Sequence, residues 1–292
     1  MSVLARRQTL KAAVDERRAL PAPGAFECLS ARLVEAAGFA AVYVTGYGTS
    51  ASRLGLPDLG FTGLAEMTDH ARNVAGCVDV PVIVDADTGY GNAVNVGRTV
   101  QMFERAGVAA IHLEDQVFPK RSGTLAGKQL VSTEEAAAKI RMAVTARGDS
   151  GLLIIARTDA MGVTGFDDAV ARARAYAAAG ADLLFVEGMD AMAQVEALPG
   201  LVDRPCVFNY GAAGPLPPAR LAALRELGYG LVIFPAHALL VAAHAMQTYL
   251  VALRESDTAP SLAGRAMALS ELARLLASHR ELELELEGRP SS

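Results

Sequence analysis

Four segments repeat one pattern of polar and apolar positions: VEAAGFAAVYVTG, FERAGVAAIHLED, AAAGADLLFVEG and RELGYGLVIFP. In each, apolar residues at helical spacing stop near a glycine (Gly38, Gly107, Gly180 or Gly228), and a short run rich in Val, Ile, Leu or Phe follows. Glycine supplies the positive φ that ends a helix. Runs without alternation fit strands covered on both faces. VPVIVDAD, LLIIARTDA and PCVFNYG read as strands without that glycine, and LPAPGAF near Leu20 reads as an eighth. The spacing predicts helices over residues 28–37, 64–75, 94–105, 133–146, 167–179, 189–198, 217–227 and 237–253. Eight strands alternating with helices predict an α/β fold, a closed (β/α)8 barrel of the TIM type. A doubly wound open sheet is the rival. TGYGNA does not supply its dinucleotide fingerprint, since it has two close glycines and acids before them. One more helix is expected from 261 to about 285, so residues 1–292 read as a single barrel domain with 254–292 as a helical extension. The apolar LLA face of that extension predicts packing on a neighbouring subunit.

In such a barrel the C-terminal strand ends meet at one mouth. That mouth receives Thr45, Asp85 and Asp87, Glu114 and Asp115, Arg157 and Asp159, Glu187 and Asn209 from successive strands, with His237 after the last. Several converging acids repel one another unless a cation joins them. Oxygen donors suit Mg²⁺ or Mn²⁺, and no His/Cys cluster calls for zinc. Asp85 is expected as a direct ligand, with Asp87 and Glu114 holding metal waters; capping of the following helices or pairing with Arg157 is the alternative for any one acid. The cation would polarise a 2-oxo or 2-hydroxy carboxylate, which Arg157 and the Thr45-Gly46 amides would bind. Residues 45–63 read as a long connecting loop carrying Asp58, and 119–130 as a polar loop with Lys120, Arg121 and Lys128 able to close over an anion. Either segment has an ordinary solvated loop or turn as its plain alternative.

Composition narrows the partners. The net charge of −5 and the absence of a basic run leave no footprint for nucleic acid. No segment reads as a signal peptide or a membrane span. Cys28, Cys77 and Cys206 are too far apart for a metal motif and suit a reducing cytoplasm as buried thiols.

GTSASRLGLPDLGFT, VDADTGYGN, HLEDQVFPKRSG, GKQL, IIARTDA and FVEG together resemble the isocitrate lyase and phosphoenolpyruvate mutase superfamily, in its smaller-subunit branch, over residues 18–253. The resemblance implies a barrel whose eighth helix is exchanged between subunits, usually in a homotetramer, and Mg²⁺ beside a 2-oxo or 2-hydroxy acid. It places the metal-site acids on Asp85, Asp87 and Glu114 and the loop acid on Asp58. Carboxylate contacts fall on Thr45, Gly46 and Arg157, polar substrate positions on Glu187 and Asn209, the active-site tyrosine on Tyr43, and the gating loop on Lys120, Arg121, Ser122, Gly123 and Thr124.

The chain departs from the family's lyases in that loop, where Lys-Lys/Arg-Cys-Gly-His becomes Lys120-Arg121-Ser122-Gly123-Thr124. The lost Cys is the acid that protonates the departing enolate, and a hydroxyl is a weaker acid than a thiol. After strand seven, NYGAAGPLP lacks the lyases' Glu. Tyr210 and His237 are more similar to the oxaloacetate decarboxylase group, and Tyr47, Ser122, Thr124, Tyr210 and His237 are expected to shape the substrate tail. The expected function is Mg²⁺-dependent cleavage of a C–C bond in a small 2-hydroxy or 2-oxo dicarboxylic acid, methylisocitrate- or dimethylmalate-like. Tyr43, Asp58, Lys120, Ser122, Glu187 and His237 are the candidate catalytic residues. The alternatives are an oxaloacetate-type decarboxylase or hydrolase, P–C chemistry on a phosphonate, and a binding protein derived from an enzyme.

Overall fold

The computed structural model describes residues 1–122, 125–212, 220–256, 258–262, 264 and 266–276. Eight parallel strands close in chain order into a barrel: β1 (Leu20–Ala25), β2 (Val42–Val44), β3 (Val82–Asp85), β4 (Ala110–Glu114), β5 (Leu153–Thr158), β6 (Leu183–Val186), β7 (Cys206–Asn209) and β8 (Tyr229–Phe234). Nearly every strand residue is buried, as the unalternating runs required. The four repeat glycines follow helix ends with φ of 87°, 80°, 99° and 94°.

Around the barrel run α2 (Cys28–Ala36), α4 (Leu64–Cys77), α5 (Ala93–Arg105), α6 (Thr133–Arg147), α7 (Phe166–Ala178), α8 (Met192–Leu201), α9 (Leu221–Leu227) and α10 (His237–Glu255). Two layers of apolar side chains result. Ala22, Tyr43, Ile83, Ile155, Phe185, Val207 and Ile233 fill the barrel, while residues such as Val84, Phe103, Ile140, Tyr176 and Leu198 lie in the layer packed with the helices.

Some boundaries differ from expectation for local reasons. Helix α8 starts at Met192 and not at 189, because Gln194 Oε1 accepts the amides of Asp190 and Ala191 at 3.0 and 3.1 Å and holds them outside the helix. Helix α9 starts at Leu221, and residues 217–219 of the expected helix lie outside the described set. The tail helix expected from 261 is α11 (Leu269–Leu276), preceded by Gly264 with φ of 67°; its expected continuation lies outside the described residues. Arg32 Nη1 on α2 donates to the Leu275 carbonyl of α11 at 3.3 Å.

Residues 45–63 are not a continuous loop. They contain α3 (Gly46–Leu54), started by Thr45, whose hydroxyl accepts the Gly48 amide at 3.3 Å, and ended by Gly55 in the left-handed region. Its glycines are there for close approach. A Cβ on Gly48 would stand 2.5 Å from Thr45 Cγ2 and 2.9 Å from Phe26 Cβ.

An unanticipated helix, α1 (Val3–Asp15), sends Leu10 and Val14 into the barrel-filling layer. Arg7 anchors it, donating to the carbonyls of Val108, Ser150 and Glu104 at 2.9, 2.9 and 3.2 Å. Leu10 is 1% exposed. Leu10→Ala should therefore lower the unfolding free energy by about 3 kcal/mol in denaturant titration; a loss under about 1 kcal/mol would show that α1 is not part of the core.

Candidate active site

The strand register determines which side chains meet at the mouth. Asp85 is paired with His112, Glu114 with Arg157, and Arg157 with Phe185. In a parallel ladder such partners point to the same face. Asp85, His112, Glu114 and Arg157 thus form a continuous polar layer above the apolar barrel filling, and Tyr43 of that filling reaches it through its hydroxyl, 2.7 Å from His112 Nε2. A cavity of about 300 Å³ opens above it.

Asp85 lines this cavity. Its Oδ1 accepts the Asp87 amide at 2.9 Å and lies 3.4 Å from His112 Nε2. The carboxylate rests against α3, where a Cβ on Gly46 would sit 2.6 Å from Asp85 Oδ2. The turn after β3 is held open by Asp87 and Tyr90, both in the left-handed region at φ of 48° and 59°. For non-glycine residues that conformation is uncommon, though Asp tolerates it best.

Among the described residues two cations line the cavity, and both are engaged. Lys120 Nζ donates to Asp58 Oδ2 at 2.5 Å and lies 2.9 Å from Asp87 Oδ1. Arg157 grips Asp159 with Nε at 2.9 Å and Nη2 at 3.0 Å, lies 3.3 Å from Glu114 Oε2, and has its guanidinium 5.2 Å from the Phe185 ring centre. Lys128 Nζ reaches Asp159 at 2.6 Å from the segment after β4. Asp87 and Glu114 do not line the cavity themselves; they lie against side chains that do. On the β6–β7 side, Asn209 Nδ2 donates to both oxygens of Glu187 at 3.3 and 3.0 Å.

The carboxylates outnumber the cations. Burial pushes Asp58 and Glu114 above the usual carboxylate range, and Asp87 up to about 7 despite Lys120. Asp85 is the exception: burial acts against it, but His112, Lys120 and Arg157 together hold it at about 2. Lys120 and Arg157 are lifted well above their ordinary values, because the surrounding carboxylates outweigh burial. Asp87 Oδ1 and Glu114 Oε2 are buried without a well-directed hydrogen bond, each facing its cation off-axis.

Among the described residues no three His, Cys, Asp or Glu side chains are grouped so as to hold a metal ion by themselves. The donor set does fit a hard cation held by few protein oxygens. Asp85 is ionised, faces the cavity and carries no ammonium or guanidinium contact of its own, while two orphaned carboxylate oxygens belong to its neighbours. Magnesium commonly binds through one or two carboxylates and keeps several waters.

The expected site residues separate into two groups. Tyr43, Thr45, Tyr47, Asp58, Ser122, Glu187 and Asn209 line the cavity with Asp85, Lys120 and Arg157. Gly46 backs Asp85. Arg121 is turned elsewhere: its amide donates to Gln116 Oε1 at 3.0 Å and its Nη1 to Ala126 O at 3.3 Å. Tyr210 and His237 do not line the cavity. They pack with Phe234 in an aromatic cluster, with ring centres 5.2 to 6.0 Å apart, and burial lowers the His237 pKa. Gly123 and Thr124 lie outside the described residues. Asp115, placed at the mouth by its sequence position, is instead buried where it accepts Thr158 Oγ1, the Asp159 amide, Tyr176 OH and Arg172 Nη1 at 2.7, 2.9, 2.7 and 3.2 Å.

His112 was not anticipated. It stacks on Tyr43 at 5.8 Å between ring centres, and its Nε2 is 2.7 Å from the Tyr43 hydroxyl. Burial holds His112 neutral, down to about 4, and raises Tyr43 well above the usual phenol value. Period two in AIHLE carries the signal, since it puts His112 on the face of Glu114.

The contact between Asp85 and the Gly46 backbone is directly testable. Gly46→Ala should lower kcat/KM by at least about tenfold, because the added methyl must displace the Asp85 carboxylate. Steady-state kinetics beside a circular dichroism spectrum checks this; a folded variant with unchanged kinetics would contradict the arrangement.

Comparison with known proteins gives a consistent answer. The family profile described as phosphoenolpyruvate phosphomutase matches residues 10–254. The chain is 40% identical over 272 residues to the 2,3-dimethylmalate lyase of Eubacterium barkeri, covering 93% of this chain and 94% of that one. It is 46% identical over 239 residues to a probable 2-methylisocitrate lyase of Corynebacterium glutamicum, covering 81% and 77%. A structure of oxaloacetate acetylhydrolase with the inhibitor 3,3-difluorooxalacetate superposes with a TM-score of 0.92 at 32% identity, covering 99% of both chains. A structure of phosphonopyruvate hydrolase with oxalate and Mg²⁺ gives 0.87 at 32%, again covering 99% of both. The chain belongs to the isocitrate lyase and phosphoenolpyruvate mutase superfamily, a family of enzymes whose mechanism is metal-dependent, and is related to its methylisocitrate lyase, dimethylmalate lyase and phosphoenolpyruvate mutase branches.

Proposed function

We propose that this enzyme, a lyase for a small 2-hydroxy or 2-oxo dicarboxylic acid, works with Mg²⁺, or Mn²⁺ in its place, at Asp85, and that it breaks the bond between C2 and C3 of its substrate. The observation that carries the reading is the surplus of buried carboxylate around one ionised, cavity-facing aspartate. The relative complexed with oxalate and Mg²⁺ supports the choice of ion. Asp85 is the direct ligand in this reading, and Asp87 and Glu114 hold ion-bound waters. When bound, the cation polarises the 2-hydroxy or 2-oxo carboxylate and favours negative charge beside it.

The chain's own groups do the remaining work. Arg157 and the Thr45-Gly46 turn at the start of α3 bind the C1 carboxylate. Asp159 holds Arg157 bidentately and so fixes its plane. Glu187 accepts the hydroxyl proton, while Tyr43, kept as a phenol by burial, hydrogen-bonds the same oxygen. The C2–C3 bond then breaks, its electron pair passes to C3 of the departing acid, and that carbon takes one proton from solvent, which balances the hydroxyl proton that Glu187 receives and returns to solvent. Asp58 fixes Lys120, and Lys120 and Ser122 cover the cavity on this side and limit water there. Ser122 stands at the closing edge, its amide donating to the Asp58 carbonyl at 3.2 Å. Tyr47 and Asn209 complete the substrate's surroundings.

Hydrolysis of an oxaloacetate-type acid is the second reading. Likeness to oxaloacetate acetylhydrolase and the serine in place of a thiol acid favour it. Decarboxylation rested on His237, which packs among aromatic rings beside the cavity. In a panel of 2-hydroxy and 2-oxo dicarboxylates, the lyase reading predicts a shorter 2-oxo acid as product; oxalate or CO₂ as the principal product would contradict it. Asp85→Ala should reduce turnover at least about a thousandfold and weaken Mg²⁺ binding measured by calorimetry. Full activity in chelator-treated enzyme would sink the metal assignment.

Helix α10 has no buried residue, and Val241, Met246 and Leu250 on it are 70%, 58% and 59% exposed. In the proposed assembly α10 packs on a neighbouring copy, within a tetramer; α11 meets α2 of its own chain, and residues 277–292 of the expected extension lie outside the described residues. Sedimentation equilibrium should give four times the chain mass, and a monomer at micromolar concentration would contradict the assembly. No helix among the described residues is long and apolar enough to cross a membrane. Three free cysteines suit the proposed cytoplasmic setting.

A further inference from the structure

No cysteine lines the cavity at the barrel mouth, yet two of the three meet on the outside of the barrel. Cys28 is the first residue of α2 and Cys77 the last of α4, 49 positions apart in the chain. Cys77 Sγ donates to the Cys28 carbonyl at 3.6 Å and lies 3.2 Å from the Val74 carbonyl. The Cys28 thiol is also a hydrogen-bond partner of the Cys77 thiol. Cys206 stands apart, buried in β7 with its Sγ 3.7 Å from the Arg204 carbonyl. Both members of the pair are half-buried against the helix layer. Beside Cys77, Gly76 is exposed, and a Cβ built on it would meet nothing within 4 Å, so a small reagent can approach from solvent. Each cysteine stands at a helix end, where the backbone adjusts to the narrow geometry of an S–S bond more readily than in mid-helix.

We propose that Cys28 and Cys77 form a reversible dithiol–disulfide site that reacts with small-molecule disulfides and staples α2 to α4. Burial, and after it the nearby Cys28 thiol, push the Cys77 thiol up to about 12. Cys77 therefore stays protonated at neutral pH, and the first attack falls to Cys28. The Cys28 thiolate attacks one sulfur of the reagent, whose S–S bond breaks and releases one thiolate. Capture of Cys28 removes its share of the effect on Cys77. Cys77 then loses its proton and attacks Cys28 Sγ; the intramolecular bond forms as the mixed disulfide breaks and the second reagent thiolate leaves. The two cysteines give up two electrons and two protons, and the reagent disulfide takes them up as two thiols. The staple closes a loop around the segment that carries Tyr43, Thr45, Gly46 and Asp58. A cross-link around so long a segment restricts the unfolded chain, so its effect is a gain in stability.

The test is incubation of the folded, full-length protein with glutathione disulfide, followed by removal of the reagent, intact mass, peptide mapping and thermal melting. The expected result is a chain lighter by two hydrogens, a peptide linked through Cys28 and Cys77, and a melting temperature raised by about 5 °C or more. Dithiothreitol should reverse all three. Cys77→Ser should stop at a glutathione adduct on Cys28, Cys28→Ser should give no linked peptide, and neither should show the rise in melting temperature. Cys206→Ser should behave as the unaltered protein. A lasting glutathione adduct on Cys28 of the unaltered protein overturns the inference, as does linkage through Cys206 or between chains. So does a folded protein that leaves both thiols untouched under conditions where the denatured chain reacts. A linked peptide without a higher melting temperature overturns the staple. The unaltered protein supplies each of these outcomes by itself, so the inference stays testable if a serine variant fails to fold.

Discussion

The constraint on which the mouth of this barrel depends is electrostatic. Asp58, Asp85, Asp87, Glu114 and Asp159 are all buried there, against Lys120, Lys128 and Arg157. Uncompensated buried charge is costly, so the side chains are arranged to reduce it. Lys120 bridges two acids, Arg157 touches two, and Lys128 adds a second contact to Asp159. The remaining imbalance appears as Asp87 and Glu114 driven toward their neutral forms, while Asp85 and Asp159 stay ionised, Asp159 in the grip of Arg157 and Lys128. A hard divalent ion is the proposed remedy.

A network behind the mouth keeps this arrangement in place. Asp115 collects four donors from β5 and α7 and so fixes the end of β5, from which Asp159 reaches back to Arg157. Gly46 lets the start of α3 approach Asp85 more closely than any side chain would permit. On the opposite side, β7 and β8 supply backbone turns and small apolar groups. The cavity therefore has a charged half around Asp85, Lys120 and Arg157 and a more apolar half along β7 and β8, interrupted by Asn209.

Much of this was legible in the chain. Unalternating strands and helix-ending glycines led to the barrel, and strand-tip positions led to Asp85, Glu114 and Arg157. What failed did so for identifiable reasons. Residues 46–54 look like a loop by composition, yet their glycines answer to crowding against Asp85 and Phe26, which no local pattern displays. Asp115 follows Glu114 in sequence but points away from the mouth, as adjacent strand residues do. His112 was within reach by the same period-two argument. Contact between Tyr210 and His237 depends on the meeting of β7 and α10, which lies beyond local sequence. Helix α1 carries scattered charges that conceal the two apolar residues entering the barrel.

The most direct measurement of the central claim is the coordination of Mn²⁺ titrated into the protein, counted by calorimetry and by electron–nuclear spectroscopy in isotopically labelled water. The account predicts one ion per chain, held through a single carboxylate and retaining several exchangeable waters. No ion at millimolar Mn²⁺, or an ion stripped of water by three protein carboxylates, would contradict it.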